Sequence, residues 1–171
     1  MKQLLLSLFI LGFISAKAQD KIFPDDFLGV YKGDLEITNA KGKQSVGMEF
    51  HLTATDLVDV YNYVLVYMIN GEPSPRNYTL KVKDKSKGEF VIDENNGIIL
   101  NAKLVDNTLY SVFEVSENLL ITTERFFDDK MEFEIIFSGK DAKLVNEGNE
   151  ETPMVTSYPV TVTQKAILIK Q

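Results

Sequence analysis

The sequence predicts an all-β domain, an antiparallel meander of about eight to ten strands that closes into an up-and-down barrel. From Phe27 onward apolar and polar residues alternate with a period of two, which is typical of half-buried strands. Short segments rich in Asn, Asp and Gly interrupt this alternation, as hairpin turns do. Helical spacing is almost absent. Closure is preferred over two packed sheets because it removes exposed edge strands.

The first two predicted strands have the clearest register. They run from about Val30 to Thr38 and from about Val46 to Ala54, and each has one apolar face and one polar face. The residues predicted to face the interior are Tyr31, Gly33, Leu35 and Ile37, followed by Val46, Met48, Phe50, Leu52 and Ala54.

The third segment, about Val58 to Ile69, is apolar on both faces and also fits a helical stripe after Asp56. Its Val and Tyr content favours a strand. The following residues, Asn70 to Pro75, contain two prolines and a glycine and are predicted to form a rigid loop.

The remaining predicted strands are shorter and are joined by tight turns. An acidic loop is expected at about Asn146 to Pro153. The last strand has Pro159 near its start, where a missing N–H donor does least harm. The predicted strands are about Asn77–Lys83, Glu89–Asp93, Ile98–Leu104, Thr108–Val115, Leu119–Phe127, Met131–Ser138 and Ser157–Ile169.

The N-terminus has the features of a secretory signal peptide over residues 1–18. Lys2 is followed by an apolar run from Leu4 to Ile14 and by the small-residue pattern Ala16-Lys17-Ala18. The run is too short to cross a bilayer as a helix. We therefore expect a secreted or periplasmic protein that begins at Gln19, a single domain over residues 19–171, and no membrane insertion.

Composition excludes several classes of function. The chain carries 18 basic and 25 acidic residues, a net charge of −7, so a nucleic-acid partner is not expected. It contains no cysteine, and disulfides therefore cannot contribute to its stability. The oligomeric state does not follow from the sequence.

The residues that could take part in catalysis or metal binding are better explained as surface or turn residues. His51 is the only histidine and lies on a polar strand face, with no G-x-S-x-G motif in the chain. Glu132 and Glu134 alternate on one strand, as a solvated charged stripe does. The segment Asp93–Gly97 lacks the glycine and glutamate positions of an EF-hand and fits a hairpin turn. We expect no metal, no cofactor and no enzymatic activity.

Arg125 has two interpretations. It is predicted to share a face with Leu119, Ile121, Thr123 and Phe127, so it could point inward and pair with a carboxylate or a polar ligand head. Equally, it could lie beside a turn and reach water along its aliphatic stem.

The segment Phe27-Leu28-Gly29-Val30-Tyr31-Lys32-Gly33, just after Pro24-Asp25-Asp26, resembles the start of the lipocalin and fatty-acid-binding superfamily. In that pattern an aromatic residue after Gly-x closes one end of the barrel, and here Tyr31 stands where the family has tryptophan. The resemblance implies a calycin-like barrel with an interior ligand. The last strand lacks the arginine that holds a carboxylate in the fatty-acid-binding branch, so a neutral or cationic ligand suits the net charge better.

Two functions follow as hypotheses. The first is a lipocalin-like protein that binds a small apolar molecule in a cavity of about 300 Å³ or more; the alternative role of its aromatic residues is simply to fill the core. The second is a cell-envelope module with a filled core that binds protein or glycan through the loops 70–76 and 146–153. The predicted ligand-binding residues are Tyr31, Tyr61, Tyr63, Tyr67, Tyr110, Phe113 and Arg125.

Overall fold

The computed structural model describes residues 21–171, so the predicted leader and the predicted start at Gln19 lie outside the described residues. In the described part of the chain ten strands form a closed antiparallel barrel, and two further strands form a separate hairpin. The strands are β1 (Gly29–Asn39), β2 (Gly42–Ala54), β3 (Val60–Ile69), β4 (Glu72–Asp84), β5 (Glu89–Asp93), β6 (Ile99–Val105), β7 (Thr108–Val115), β8 (Asn118–Phe126), β9 (Lys130–Gly139), β10 (Leu144–Asn146), β11 (Val155–Ser157) and β12 (Val160–Lys170).

The barrel is an up-and-down meander, and the predicted fold is confirmed. Each strand from β1 to β8 pairs with the next one in the chain. The hairpin β10–β11 is inserted between β9 and β12, which pair with each other. Closure comes from β1 and β12, whose register places Tyr31 opposite Lys170 and Leu35 opposite Ala166.

The third segment is a strand, as its Val and Tyr content indicated, but the predicted rigid loop at Asn70–Pro75 is wrong. Asn70 and Gly71, with φ of 53° and 83°, form a tight turn, and β4 begins at once with Glu72. Pro73 and Pro75 fit in β4 because β5 pairs with it only from Thr79 onward. Their missing N–H groups therefore remove no hydrogen bond to β5.

For β8 the structure decides between the two interpretations of Arg125. Its inward residues are Leu120, Thr122, Glu124 and Phe126, which are all buried. Arg125 consequently points outward, and 49% of its side chain is exposed. Both faces of this strand carry aliphatic residues, so alternation alone did not decide which face is buried.

One end of the barrel is closed by the segment before β1, and we call it the plugged end. A short 3-10 helix, Asp25–Phe27, follows Phe23, and both phenylalanine rings enter the barrel. Phe126 packs against them at ring-centroid distances of 5.0 Å to Phe23 and 5.6 Å to Phe27. Phe90 meets Phe23 at 5.3 Å with its ring almost perpendicular. This aromatic cluster excludes water from the plugged end.

Gly33, in the middle of β1, is needed for the close approach of β12. A Cβ atom at this position would collide with the main-chain oxygen of Ile167 and would lie 3.2 Å from Cδ2 of Leu168. The steric limit comes from backbone, which cannot move aside as a flexible side chain can. The absence of a side chain at Gly33 therefore allows the main chains of β1 and β12 to approach closely.

The opposite end of the barrel carries the β1–β2, β3–β4, β5–β6 and β7–β8 turns and the hairpin β10–β11, as the alternation of strand directions requires. We call it the cavity end. The hairpin is a feature that the predicted acidic loop did not include. Several of its apolar side chains are exposed, among them Leu144, Met154 and Val155. Within residues 21–171 the structure has no helix with the length and apolar character that crossing a membrane requires.

Candidate functional site

A cavity of about 120 Å³ lies inside the cavity end. Strands β3 to β9 contribute its wall, so residues far apart in the chain meet there. Most of the wall is apolar or aromatic, and a few polar groups converge on it. The lining residues are Tyr63, Leu65, Tyr67, Tyr78, Ile92, Glu94, Leu100, Ser111, Phe113, Thr122, Glu124, Phe133 and Ile135.

Glu124 is the most unusual residue of this wall, because it is a carboxyl group placed in the core with 1% of its surface exposed. Its Oε1 atom accepts a hydrogen bond of 2.9 Å from the Tyr63 hydroxyl. Its Oε2 atom has no hydrogen-bond partner within the described residues. Burial raises the pKa of Glu124 to about 8, although the bond from Tyr63 acts in the opposite direction. The carboxyl group therefore keeps its proton at neutral pH.

Ser111 is a second buried polar group without a partner. It is 2% exposed, and its Oγ atom meets no donor or acceptor among residues 21–171. On the β7–β8 pair Ser111 lies opposite Thr122, while Glu124 lies opposite Leu109, so Ser111 and Glu124 are diagonal neighbours on the inner face. Buried polar groups are normally satisfied. Two unsatisfied groups on one cavity wall therefore indicate a place for an occupant.

Three tyrosines form the β3–β4 side of the cavity. The rings of Tyr63 and Tyr78 are stacked, with centroids 6.4 Å apart and planes inclined by 21°. Burial raises the pKa of Tyr67 to about 12 and raises the pKa of Tyr63 and Tyr78 as well, so all three hydroxyls are neutral. Tyr67 and Tyr78 are only partly buried, and the cavity therefore lies close to the surface at this end.

The structure brings three of the seven predicted ligand-binding residues to the cavity, namely Tyr63, Tyr67 and Phe113. Tyr31 and Tyr61 lie inside the barrel near the plugged end. The Tyr31 hydroxyl donates to the main-chain oxygen of Phe27 at 2.6 Å.

The other predicted positions do not reach the cavity. Tyr61 donates its hydroxyl hydrogen to Asp25 at 2.7 Å, which ties β3 to the plug segment. Tyr110 and Arg125 are on the outer face of the barrel. The Arg125 Nε group donates to Thr108 at 3.2 Å, and its Nη1 atom is 3.8 Å from Glu132. The inward interpretation of Arg125 is therefore wrong.

Sequence reasoning missed Glu124, Ser111 and Tyr78. Glu124 and Arg125 are adjacent, so one of them had to face inward, and Arg125 was selected as a candidate on its inward interpretation. Ser111 alternates with Leu109 and Phe113, and this pattern was available in the sequence as a polar residue on an apolar face. Tyr78 has the same parity as Leu80 and Val82 in β4, but it was not selected as a lining residue.

The outer face of the barrel carries paired charges. Glu132 meets Lys130 at 2.9 Å, Glu134 meets Lys165 at 2.8 Å, and the single histidine, His51, meets Glu49 at 2.7 Å. Among residues 21–171 no three His, Asp or Glu side chains are grouped closely enough to hold a metal ion. Outward Glu132 and Glu134 match the charged stripe that the sequence predicts.

The cavity provides apolar walls, aromatic faces and one neutral carboxyl group, which are features for binding a small molecule with a polar end. No protein-family model matches the chain, and no curated protein is significantly similar to it. The assignment of a function therefore depends on the chemistry of the site.

Proposed function

We propose that the barrel is an exported, lipocalin-like protein that binds a small, mainly apolar molecule in the cavity beside Glu124. The observation that carries the proposal is the pair of unpartnered buried atoms, Glu124 Oε2 and Ser111 Oγ, on the wall of an otherwise apolar cavity. A bound molecule with one polar end satisfies these atoms and fills the remaining space with apolar groups.

The size of the cavity limits the ligand. The sequence-based hypothesis required about 300 Å³ or more, whereas the observed volume is about 120 Å³. An apolar protein cavity of about 150 Å³ holds one benzene molecule. A long-chain lipid or a large fluorescent probe therefore does not fit, and the ligand has about five or six non-hydrogen atoms by that comparison.

The test is a methyl NMR titration of residues 19–171 with benzene and with butan-1-ol. The methyl groups of Ile92, Leu100 and Ile135 line the cavity and are expected to shift in a saturable way. The methyl groups of Leu52, which is buried away from the cavity lining, are expected not to shift.

Two neighbouring substitutions provide matched variants for this titration. Ser111→Leu fills the cavity and is expected to abolish the shifts, while Val112→Leu changes the adjacent, exposed residue and is expected to preserve them. Absence of saturable shifts in the wild type, or equal shifts in Ser111→Leu, would contradict ligand binding at this site.

A second candidate function is contact with protein or glycan at the cell envelope, and the hairpin β10–β11 favours it. Leu144 and Met154 are each more than 60% exposed. Co-sedimentation of the purified domain with isolated envelopes tests this candidate, with protease treatment to separate protein from glycan partners. The double substitution Leu144→Ser and Met154→Ser is expected to reduce sedimentation, and the candidate is rejected if the variant and the wild type sediment equally.

A further inference from the structure

Within residues 21–171 the cavity wall carries the buried carboxyl group of Glu124 but no cation to pair with it. The lining residues in this part of the chain include no lysine, arginine or histidine. The titratable groups that face it are Tyr63 and Tyr67 from β3, Tyr78 from β4 and Glu94 after β5, while β6, β7 and β9 contribute none. Arg76 is exposed, and its charge acts on Tyr67 and Tyr78 rather than on Glu124. An anionic ligand would meet both Glu124 and Glu94, whereas a cationic ligand would supply the missing charge.

The wall opposite Glu124 also favours a cation. The stacked rings of Tyr63 and Tyr78, together with Tyr67, present aromatic surface to the same small space. Aromatic faces attract ammonium groups, and the attraction is stronger where water is excluded. A carboxylate and several aromatic rings are the combination that binds an organic ammonium ion. The same rings offer no comparable advantage to a neutral alcohol.

We propose that the cavity binds a short-chain organic amine as its ammonium ion, with the nitrogen between Glu124 Oε2 and Ser111 Oγ and the carbon chain among the apolar side chains. This inference rests on the proposed function and specifies the class of ligand. Ser111 accepts one N–H hydrogen and the ionised Glu124 accepts another, so both unpartnered atoms are used. The volume suits a chain of about four carbons.

Binding of an ammonium ion is linked to the loss of a proton from Glu124. The pKa of this carboxyl group in the empty cavity is about 8, because burial disfavours its charge. An ammonium ion favours the carboxylate, so below pH 8 the proton of Glu124 passes to solvent as the ligand enters. The apparent affinity is expected to rise up to about tenfold per pH unit between pH 6 and 8. It should level off above pH 8 and fall when the free amine loses its own proton near pH 10.

The experiment compares butylammonium chloride, butan-1-ol and sodium butyrate, which have similar chains and different head groups. Each is titrated into residues 19–171 by calorimetry at pH 6, 7, 8 and 9, in two buffers with different ionisation enthalpies to count released protons. Methyl NMR locates the binding. We expect butylammonium to bind at least tenfold more tightly than butan-1-ol at pH 8, with release of nearly one proton at pH 6, and butyrate not to bind.

Two variants separate the buried carboxyl group from general attraction of cations to an acidic protein. Glu124→Gln keeps the size of the side chain but cannot become a carboxylate, and it is expected to abolish the preference for butylammonium over butan-1-ol. Glu132→Gln removes an outward carboxylate and is expected to change neither. The methyl spectrum verifies that both variants are folded.

The outcomes of this experiment distinguish failure of the amine inference from failure of the proposed function. If butan-1-ol and butylammonium bind equally at pH 8, or if Glu124→Gln retains the preference, the amine inference is wrong and the proposed function stands. If none of the three compounds binds, the cavity holds water only and both proposals fail. Saturable binding of butyrate alone would overturn the amine inference and would indicate that the protonated Glu124 donates to an anion.

Discussion

The two ends of the barrel use the same strands in opposite ways. At the plugged end phenylalanine rings pack against one another, and Phe126 is 1% exposed. At the cavity end three tyrosines, a serine and two glutamates line the wall together with Phe113 and Phe133, and about 120 Å³ remains open. Strand β8 reaches both ends, because Glu124 faces the cavity while Phe126, two residues later, packs in the aromatic cluster of the plugged end. The plugged end therefore contributes more apolar packing to the stability of the fold. At the cavity end polar groups and empty space take the place of some of that packing.

The largest expected effect is the loss of packing at the plugged end. Phe126→Ala removes a ring that contacts Phe23, Phe27 and Phe50, and it is expected to cost about 3–5 kcal/mol. Phe113→Ala at the cavity end removes a half-buried ring that already borders empty space, and about 1–2 kcal/mol is expected. Urea unfolding of both variants measures the difference. Equal losses would show that the two ends are packed alike.

An intermediate effect is expected from the buried carboxyl group. Between pH 4.5 and about 8 Glu124 is ionised in the unfolded chain but protonated in the folded barrel, so its contribution to stability falls as the pH rises through this window. Relative to Glu124→Gln, the wild type should lose on the order of 4 kcal/mol from pH 4.5 to about 8 and little more above it.

Unfolding by urea at several pH values tests this dependence, with Glu132→Gln, a substitution on the outer face of the barrel, as the control. The difference between that control and the wild type is expected to stay nearly constant over the same range. Parallel stability curves for the wild type and Glu124→Gln would contradict the protonated state of Glu124.

The smallest effect compares two tyrosine hydroxyls of β3. Tyr61→Phe removes the 2.7 Å hydrogen bond to Asp25 and is expected to cost about 1 kcal/mol. For the Tyr67 hydroxyl the structure records no hydrogen bond within residues 21–171, and Tyr67→Phe is expected to be nearly neutral.

The cost of Tyr61→Phe should also depend on pH. The bond from Tyr61 is the main cause of the lowered pKa of Asp25, so the cost should shrink as the pH falls below 3.8 and Asp25 becomes protonated. Thermal melts at pH 7 and pH 3 provide the measurement. A similar cost for both tyrosines, or one that does not change with pH, would show that the hydroxyl of Tyr61 does not anchor the plug.

The sequence was sufficient to predict the ten barrel strands, because alternation and turn residues are local signals that survive in the fold. Asn95-Asn96-Gly97, for example, has residues that tolerate positive φ, and it forms the turn between β5 and β6, with Asn95 and Gly97 at positive φ. Pro73 and Pro75 led to the incorrect prediction of a loop at residues 70–75. Whether a strand can contain these prolines depends on how far β5 pairs along β4, and no local sequence pattern shows this.

The cavity could be predicted only in part. Tyr63, Tyr67 and Phe113 were selected because aromatic residues on inward faces are candidates in any barrel. Glu124 was missed because β8 has aliphatic residues on both faces, and the sequence does not show that Tyr63 of β3 provides a hydrogen-bond partner for it across the barrel. The empty volume itself is set by side chains from seven strands, and it cannot be deduced from any one of them.

The pairing of β1 with β12 also determines which end of the barrel can be attached to a surface. The first and last strands of the barrel are hydrogen-bonded neighbours, and the main-chain N–H of Gln171 donates to the oxygen of Val30 at 2.9 Å. Lys21, the first described residue, and Gln171 therefore both lie at the plugged end. A surface, a fluorescent protein or an affinity handle attached through either residue would point the cavity end away from the attachment. Such an attachment thus leaves the cavity end facing the solution.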